Sequence, residues 1–172
     1  MSTGLHVVGL AMVLGIASAQ AASSAGQCPE PRETQDAPPS YLTRVNPLPK
    51  TAENLAMGRR LYESDARPAP CIICHGAHGD GRSPAAEHLV PPPRNFRCAQ
   101  TMDAISDGQL YWVIEKGAGD LHYPARQGAQ HLGRPGRSMR ITAMRSYGEY
   151  LTEVERWQLV LYIRALAQED QP

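Results

Sequence analysis

The residues with the clearest potential for chemistry are two cysteines and a histidine in one short stretch, Cys71-Ile72-Ile73-Cys74-His75. The spacing C-x-x-C-H is the pattern for covalent attachment of haem c. Two thiols at this spacing can add to the two vinyl groups of a haem, and the imidazole that follows can bind its iron. The stretch therefore predicts one covalently bound haem, with Cys71 and Cys74 as the attachment points and His75 as an iron ligand.

Two other uses of paired cysteines fit the sequence less well. A thioredoxin-type dithiol stands in a βαβ context, and the chain shows no alternating strand pattern of useful length. A structural zinc site needs four ligands and usually a second clustered pair of cysteines, which Cys28 and Cys98 do not form. Haem attachment is therefore the favoured interpretation of the motif.

Three helices are predicted to position this motif: one from about Thr51 to Ser64, one over 106–116, and one that begins after Thr152. Apolar residues three to four positions apart mark one face of each. Thr152 with Glu155 has the spacing of a capping box, and so has Ser106 with Gln109. In the first helix, the missing side chain of Gly58 leaves room for another helix to cross closely.

Long loops, 76–103 and 118–148, separate these helices and are rich in Gly, Pro and Arg. Loops of this length are uncommon in a compact domain and are usually functional, which suggests that they wrap around a bound group. The pattern predicts an all-α domain over 51–169, with three main helices and long loops around the covalently attached haem.

The chain before this domain has two parts. An apolar run over 7–17 is too short to span a bilayer, and the small residues Ala17-Ser18-Ala19 follow it. This is the pattern of a cleaved signal peptide, which we assign to 1–19; a buried helix and an uncleaved anchor stay as alternatives. Six prolines between Cys28 and Pro49 predict that the segment 20–50 is an extended arm.

Overall charge excludes one class of function. The chain has 172 residues, with 17 Lys and Arg against 17 Asp and Glu. Binding of nucleic acid requires a basic surplus, so this balance argues against it. The zero net charge includes two neighbouring segments of opposite charge. Residues 121–148 carry five Arg and no acid, whereas residues 149–172 carry five acids and two Arg. A basic loop near the haem would steer an acidic redox partner, unless the loop is merely solvated.

From about Glu53 to Ala167 the chain resembles the class I c-type cytochrome family. The resemblance rests on Gly58 with Tyr62, on the C-x-x-C-H-Gly motif, on Gly79-Asp80-Gly81, on the segments 84–86 and 89–96, and on Trp157 with Tyr162-Ile163-Arg164. It implies the cytochrome c fold, in which the first and last helices cross at a glycine–aromatic contact. It also implies that a methionine before the last helix is the sixth iron ligand.

Met144 is the favoured sixth ligand, because the stretch from Met144 through Tyr147 to Thr152 resembles the methionine loop of the family. Arg145 stands where the family usually has proline. Met139, His122, His131 and an open position are the alternatives.

The resemblance further implies that a backbone carbonyl in the proline loop accepts the other ring N–H of His75. Pro91 and Pro92 are the candidates. Arg94 could bind a haem propionate through its guanidinium, or it could be a solvated loop residue.

Cys28 and Cys98 are left over, and in an oxidising compartment two such thiols suggest a disulfide. It would join the arm to the loop after Phe96. Two free thiols and intermolecular links are the alternatives.

The expected function is that of an exported, periplasmic monohaem carrier of single electrons with His/Met ligation. A saturated iron has no open site, so we expect no catalysis on a substrate. The main alternative is a haem c subunit that relays electrons within a periplasmic oxidoreductase complex, and a sensor or enzyme with a labile ligand is a third. We expect the protein to be a monomer or a subunit of a complex, with redox proteins as its partners. We expect no nucleic-acid partner and no stable membrane insertion after signal cleavage.

Overall fold

The structure is a computed structural model that describes residues 26–30, 34–89, 91–118 and 144–169. The predicted signal peptide lies outside these ranges. So do most of the basic loop and three of the candidate iron ligands that the sequence left open: Met139, His122 and His131. Predictions about those residues stay predictions.

The described ranges contain six α-helices, which we number in chain order. They are α1 Pro39–Leu42, α2 Ala52–Arg60, α3 Ile72–His75, α4 Ala99–Met102, α5 Asp107–Lys116 and α6 Glu153–Gln168. Helix α2 runs directly into a π-helical turn, Leu61–Asp65, and a short 3-10 turn spans Ala86–His88. None of these residues forms a β-strand, which confirms the all-α class. No described helix combines the length and apolar character needed to cross a membrane.

Local signals explain where the long helices begin. At α6 the Thr152 hydroxyl accepts from the backbone N–H of Glu155 at 3.2 Å, and the Glu155 carboxylate accepts from the Thr152 N–H at 2.8 Å, so the predicted capping box is confirmed. At α5 the Ser106 hydroxyl accepts from the N–H of Gln109 at 3.1 Å. The other hydrogen bond predicted for this capping box, between the Gln109 side chain and the N–H of Ser106, is wrong. The Gln109 side chain binds the backbone of residues 35 and 37 instead.

The close crossing of α2 and α6 is centred on Gly58. A Cβ added there would overlap the backbone carbonyl oxygen of Gln158 and would lie 2.9 Å from Cβ of Tyr162. Beside the crossing, the rings of Tyr62 and Tyr162 lie 5.3 Å apart. The predicted role of Gly58 is confirmed, since only a residue without a side chain allows this approach.

The core combines aliphatic side chains with several large aromatic ones from α5, α6 and the turn after α2. Tyr62, Tyr111 and Trp157 are each at most 2% exposed, and Trp112 is 7% exposed. The guanidinium of Arg44 lies 4.4 Å from the centre of the Tyr111 ring. Both tryptophans are buried in the core.

The arm packs on the domain and is not wholly extended. Residues 39–42 form the short helix α1, which contradicts the prediction of an arm without helix. Pro39 occupies the first turn of α1, where a missing N–H costs no hydrogen bond, so the prolines start a helical turn here rather than prevent one. Nearby, the Asn46 side chain donates to the carbonyl of Trp157 at 2.9 Å.

The arm is also covalently joined to the domain. Cys28 and Cys98 form a disulfide with a Cα–Cα distance of 5.4 Å, which is the predicted pairing. The bridge closes a loop in which its cysteines are 70 residues apart in sequence.

Substitution of Gly58 tests the helix crossing. An added methyl group should overpack the contact and lower the free energy of unfolding by about 1 to 3 kcal/mol. At an exposed helical position alanine is instead favoured over glycine by about 1 kcal/mol. Chemical denaturation of Gly58→Ala should therefore show destabilisation. The control is Ala56→Gly at an exposed position of α2, and a Gly58→Ala protein as stable as the wild type would contradict the assigned contact.

Candidate functional site

An apolar cavity lies between α5, α6, the C-x-x-C-H motif and the loop 91–96. The cavity has a volume of about 150 Å³ and is partly open to solvent. Most of the surface is hydrocarbon, from Phe96, Ile105, Leu110, Val113, Ile114, Ala118, Leu159 and Ile163. Cys71, His75 and Met144 also line the cavity, and so do Pro91, Pro92 and Arg94. The structure thus places all but one of the predicted haem-site residues around one space; the exception is Cys74.

His75 ends α3 and is 9% exposed. Its ring nitrogen Nδ1 lies 3.1 Å from the carbonyl oxygen of Arg94. A carbonyl can only accept, so Nδ1 carries the proton and Nε2 keeps its lone pair. Burial lowers the pKa of His75 to about 4, and the charge of Arg94 acts in the same direction. The imidazole is therefore neutral at pH 7, as a metal ligand must be.

The carbonyl partner of His75 corrects one expectation. Pro91 and Pro92 were the predicted acceptors, but the acceptor is Arg94. The reason is the path of the loop: the N–H of Phe96 donates to the carbonyl of Gly79 at 2.6 Å, which draws this part of the loop against the turn after His75. Pro91 and Pro92 line the cavity instead.

The ring of His75 is also held by an aromatic contact. Phe96 stacks on it, with ring centroids 4.3 Å apart and planes inclined by 18°. The Tyr62 hydroxyl donates to the carbonyl of Gly76 at 2.7 Å, and burial raises the pKa of Tyr62, so the hydroxyl stays a donor. Gly76 has a φ of 81°, which lets the chain turn away directly after His75.

Neither cysteine of the motif takes part in a disulfide among the described residues. Burial raises the pKa of Cys71 to about 12 and also raises that of Cys74. A redox dithiol instead needs a thiol whose pKa is lowered, so the surroundings argue against thioredoxin-type exchange. Within the described part of the chain, no group of three or more His, Cys, Asp or Glu could hold a metal ion.

Met144 lines the cavity from the described segment that precedes α6. The N–H of Ala118 donates to the carbonyl of Met144 at 3.1 Å, and the N–H of Tyr147 donates to the carbonyl of Ile114 at 3.0 Å. The Tyr147 hydroxyl donates to the carbonyl of Ala69 at 2.6 Å, which ties this segment to the chain before the motif. These bonds bring Met144 to the same cavity as His75.

Four polar residues interrupt the apolar walls: Glu30, Thr34, Arg94 and Gln109. The nitrogen Nη1 of Arg94 lies 3.3 Å from Oε1 of Glu30. This nitrogen is buried and has no hydrogen-bond partner among the described residues. Burial raises the pKa of Glu30, while Arg94 and the N–H of Asn95 oppose that shift. Glu30 is a cavity residue that the sequence did not predict, although it stands two residues after Cys28 of the predicted bridge.

The chain matches no protein-family model, and it matches no curated protein. Its fold is similar to that of a solved chain from a reducing HAO-like protein complex of Kuenenia stuttgartiensis, with a TM-score of 0.50 and 23% sequence identity. The similarity covers 70% of this chain and 46% of that chain, so the match spans less than half of the longer protein. At this identity the comparison concerns the fold alone.

Removal of the Tyr62 hydroxyl tests its hydrogen bond to the carbonyl of Gly76, the residue after His75. Tyr62→Phe should lower the free energy of unfolding by about 1 kcal/mol, the net value of one buried hydrogen bond. Thermal or chemical unfolding measures the change. The control is Tyr150→Phe, because Tyr150 is 56% exposed; equal effects of the two substitutions would contradict the assigned role.

Proposed function

We propose that this chain is an electron-transfer protein that binds one haem c covalently through Cys71 and Cys74. The observation that carries the proposal is the neutral, hydrogen-bonded His75, which shares one apolar cavity with Cys71 and Met144. When bound, the haem supplies an iron that changes between Fe(III) and Fe(II). His75 and Met144 would bind its iron, the ligand pair of a c-type cytochrome.

The cavity fits such a group in two respects. Its hydrocarbon walls suit a flat, apolar macrocycle and exclude water from it. The guanidinium of Arg94 lines the cavity beside Glu30, with which its buried Nη1 is paired, and its geometry suits a propionate at the edge of the macrocycle. Arg94 would therefore act twice, since its backbone carbonyl orients His75 and its guanidinium binds the carboxylate.

A second candidate is a haem c subunit that relays electrons inside an oxidoreductase complex. The fold similarity to a longer chain from a complex described as reducing favours it. The arm packed against α5 and the loop 118–148 are the segments that a larger subunit could contact. Isolation of a stable complex with a catalytic subunit would favour this candidate over a free carrier.

The proposal includes export. Haem c is attached to reduced cysteines outside the cytoplasm, and the apolar run at 7–17 supplies the sequence of a signal peptide. In the periplasm, the arginines of 121–148 would favour a partner with an acidic surface. Because His75 and Met144 would both bind the iron, we propose no reaction on a substrate.

Haem attachment gives the direct test of this function. Coexpression with a cytochrome c maturation system should give a protein whose haem stays bound after denaturation and shows the pyridine haemochrome spectrum of two thioether links. Cys71→Ala should lose one link, and Cys71→Ala/Cys74→Ala should lose covalent haem altogether. A wild-type protein that matures without covalent haem would contradict the proposal.

The sixth ligand can be tested separately. The oxidised wild-type protein should show the long-wavelength absorption band of iron–thioether ligation, and Met144→Ala should abolish the band and allow the reduced protein to bind CO rapidly. Met139→Ala should retain the band and is the matched control. Loss of the band in Met139→Ala alone would show that Met144 is not the ligand.

A further inference from the structure

The start of the arm, residues 26–30, is fastened to the loop beside the cavity, and we call it the arm tip. Its fastening is covalent at Cys28, which is bonded to the buried Cys98. The side chain of Asn95 donates to the carbonyl of Gly26 at 3.2 Å, and the N–H of Glu30 donates to the Thr101 hydroxyl at 3.1 Å. The arm tip is therefore held at its beginning, its middle and its end.

This fastening places one acidic side chain in the cavity wall. The side chain of Glu30 is 7% exposed. Its oxygen Oε1 accepts from the backbone N–H of Asn95 at 2.7 Å and lies 3.3 Å from Nη1 of Arg94. Burial raises the pKa of Glu30, and these two partners act against that shift. Because Arg94 and Glu30 both line the cavity, any group bound there meets both charges.

We propose that Glu30, delivered by the arm tip, is a fixed negative charge that lowers the reduction potential of the haem bound in the cavity. The inference rests on the proposed function. It adds a tuning residue that belongs to neither the attachment motif nor the axial ligands.

The physical reason is electrostatic. Reduction adds one electron to the iron and so removes one positive charge from the cavity. A nearby carboxylate stabilises the more positive, oxidised form, and it does so more strongly in an apolar surrounding than in water. Glu30 also competes with a propionate for Arg94, so less of the guanidinium charge is available to offset the negative groups. Both effects lower the potential.

A purely structural role for Glu30 makes a different prediction. If the carboxylate only anchors the arm tip, its replacement by an uncharged acceptor should leave the potential unchanged. Glutamine is such a replacement, because its amide oxygen can still accept from the N–H of Asn95. The reduction potential therefore separates the two roles, whereas unfolding measurements alone would not.

The experiment is a spectroelectrochemical titration of the haem-loaded protein at neutral pH. Glu30→Gln should shift the reduction potential upward, and Glu30→Asp, which keeps the charge, should stay closer to the wild type. The matched control is Glu87→Gln, which removes the same charge from an exposed position. Its shift should be smaller than that of Glu30→Gln.

Removal of the disulfide gives a second test of the proposal. Cys28→Ser/Cys98→Ser keeps both haem-attaching cysteines and should also raise the potential, because the arm tip is released. In that background Glu30→Gln should add little. Haem content and circular dichroism establish that the variant is folded, and the variants with an intact bridge decide the role of the carboxylate by themselves.

Different results would contradict different parts of the proposal. An unmoved potential in Glu30→Gln, or a shift no larger than that of Glu87→Gln, with normal haem content, would overturn the role of Glu30 alone. A full shift by Glu30→Gln in the absence of the bridge would overturn the role of the arm tip. Absence of covalent haem from the wild-type protein would overturn both this inference and the proposed function.

Discussion

The structure depends on an apolar cavity whose walls are shared with the hydrophobic core. In this chain the lining comes from α5, α6 and the loop 91–96, which are also the main elements of the core. A group bound in the cavity would therefore complete the core, and the stability of the fold and the binding of that group are expected to be coupled.

Helix α6 shows how the fold and the cavity depend on each other. Gln158 and Tyr162 meet Gly58 at the crossing with α2, whereas Leu159 and Ile163, each one residue later, line the cavity. One residue along an α-helix turns the direction of the side chain by about 100°. The close approach at Gly58 therefore sets the orientation of the neighbouring face. A change in the helix crossing would move two side chains of the cavity wall.

The sequence predicted the features that depend on local spacing. The three main helices, the capping box at Thr152 and the motif around His75 are each contained in a few consecutive residues. The features that sequence reasoning missed depend on contacts across long separations. Arg94 accepts from His75 because the loop folds onto the turn after the motif, and Gln109 leaves its expected cap because the arm offers buried backbone partners. Neither hydrogen bond can be predicted from the residues next to His75 or Gln109 in the sequence.

The Glu30–Arg94 pair is difficult to explain by stability alone. A buried ion pair contributes little to folding, because the loss of hydration offsets most of the attraction. The N–H of Asn95 needs an acceptor, but an uncharged amide would serve, and the disulfide already holds the arm tip. Anchoring of the arm tip therefore does not require a charged carboxylate at position 30. Its charge acts on the electrostatics of the cavity, where a single unit of charge has a large effect because the walls are apolar.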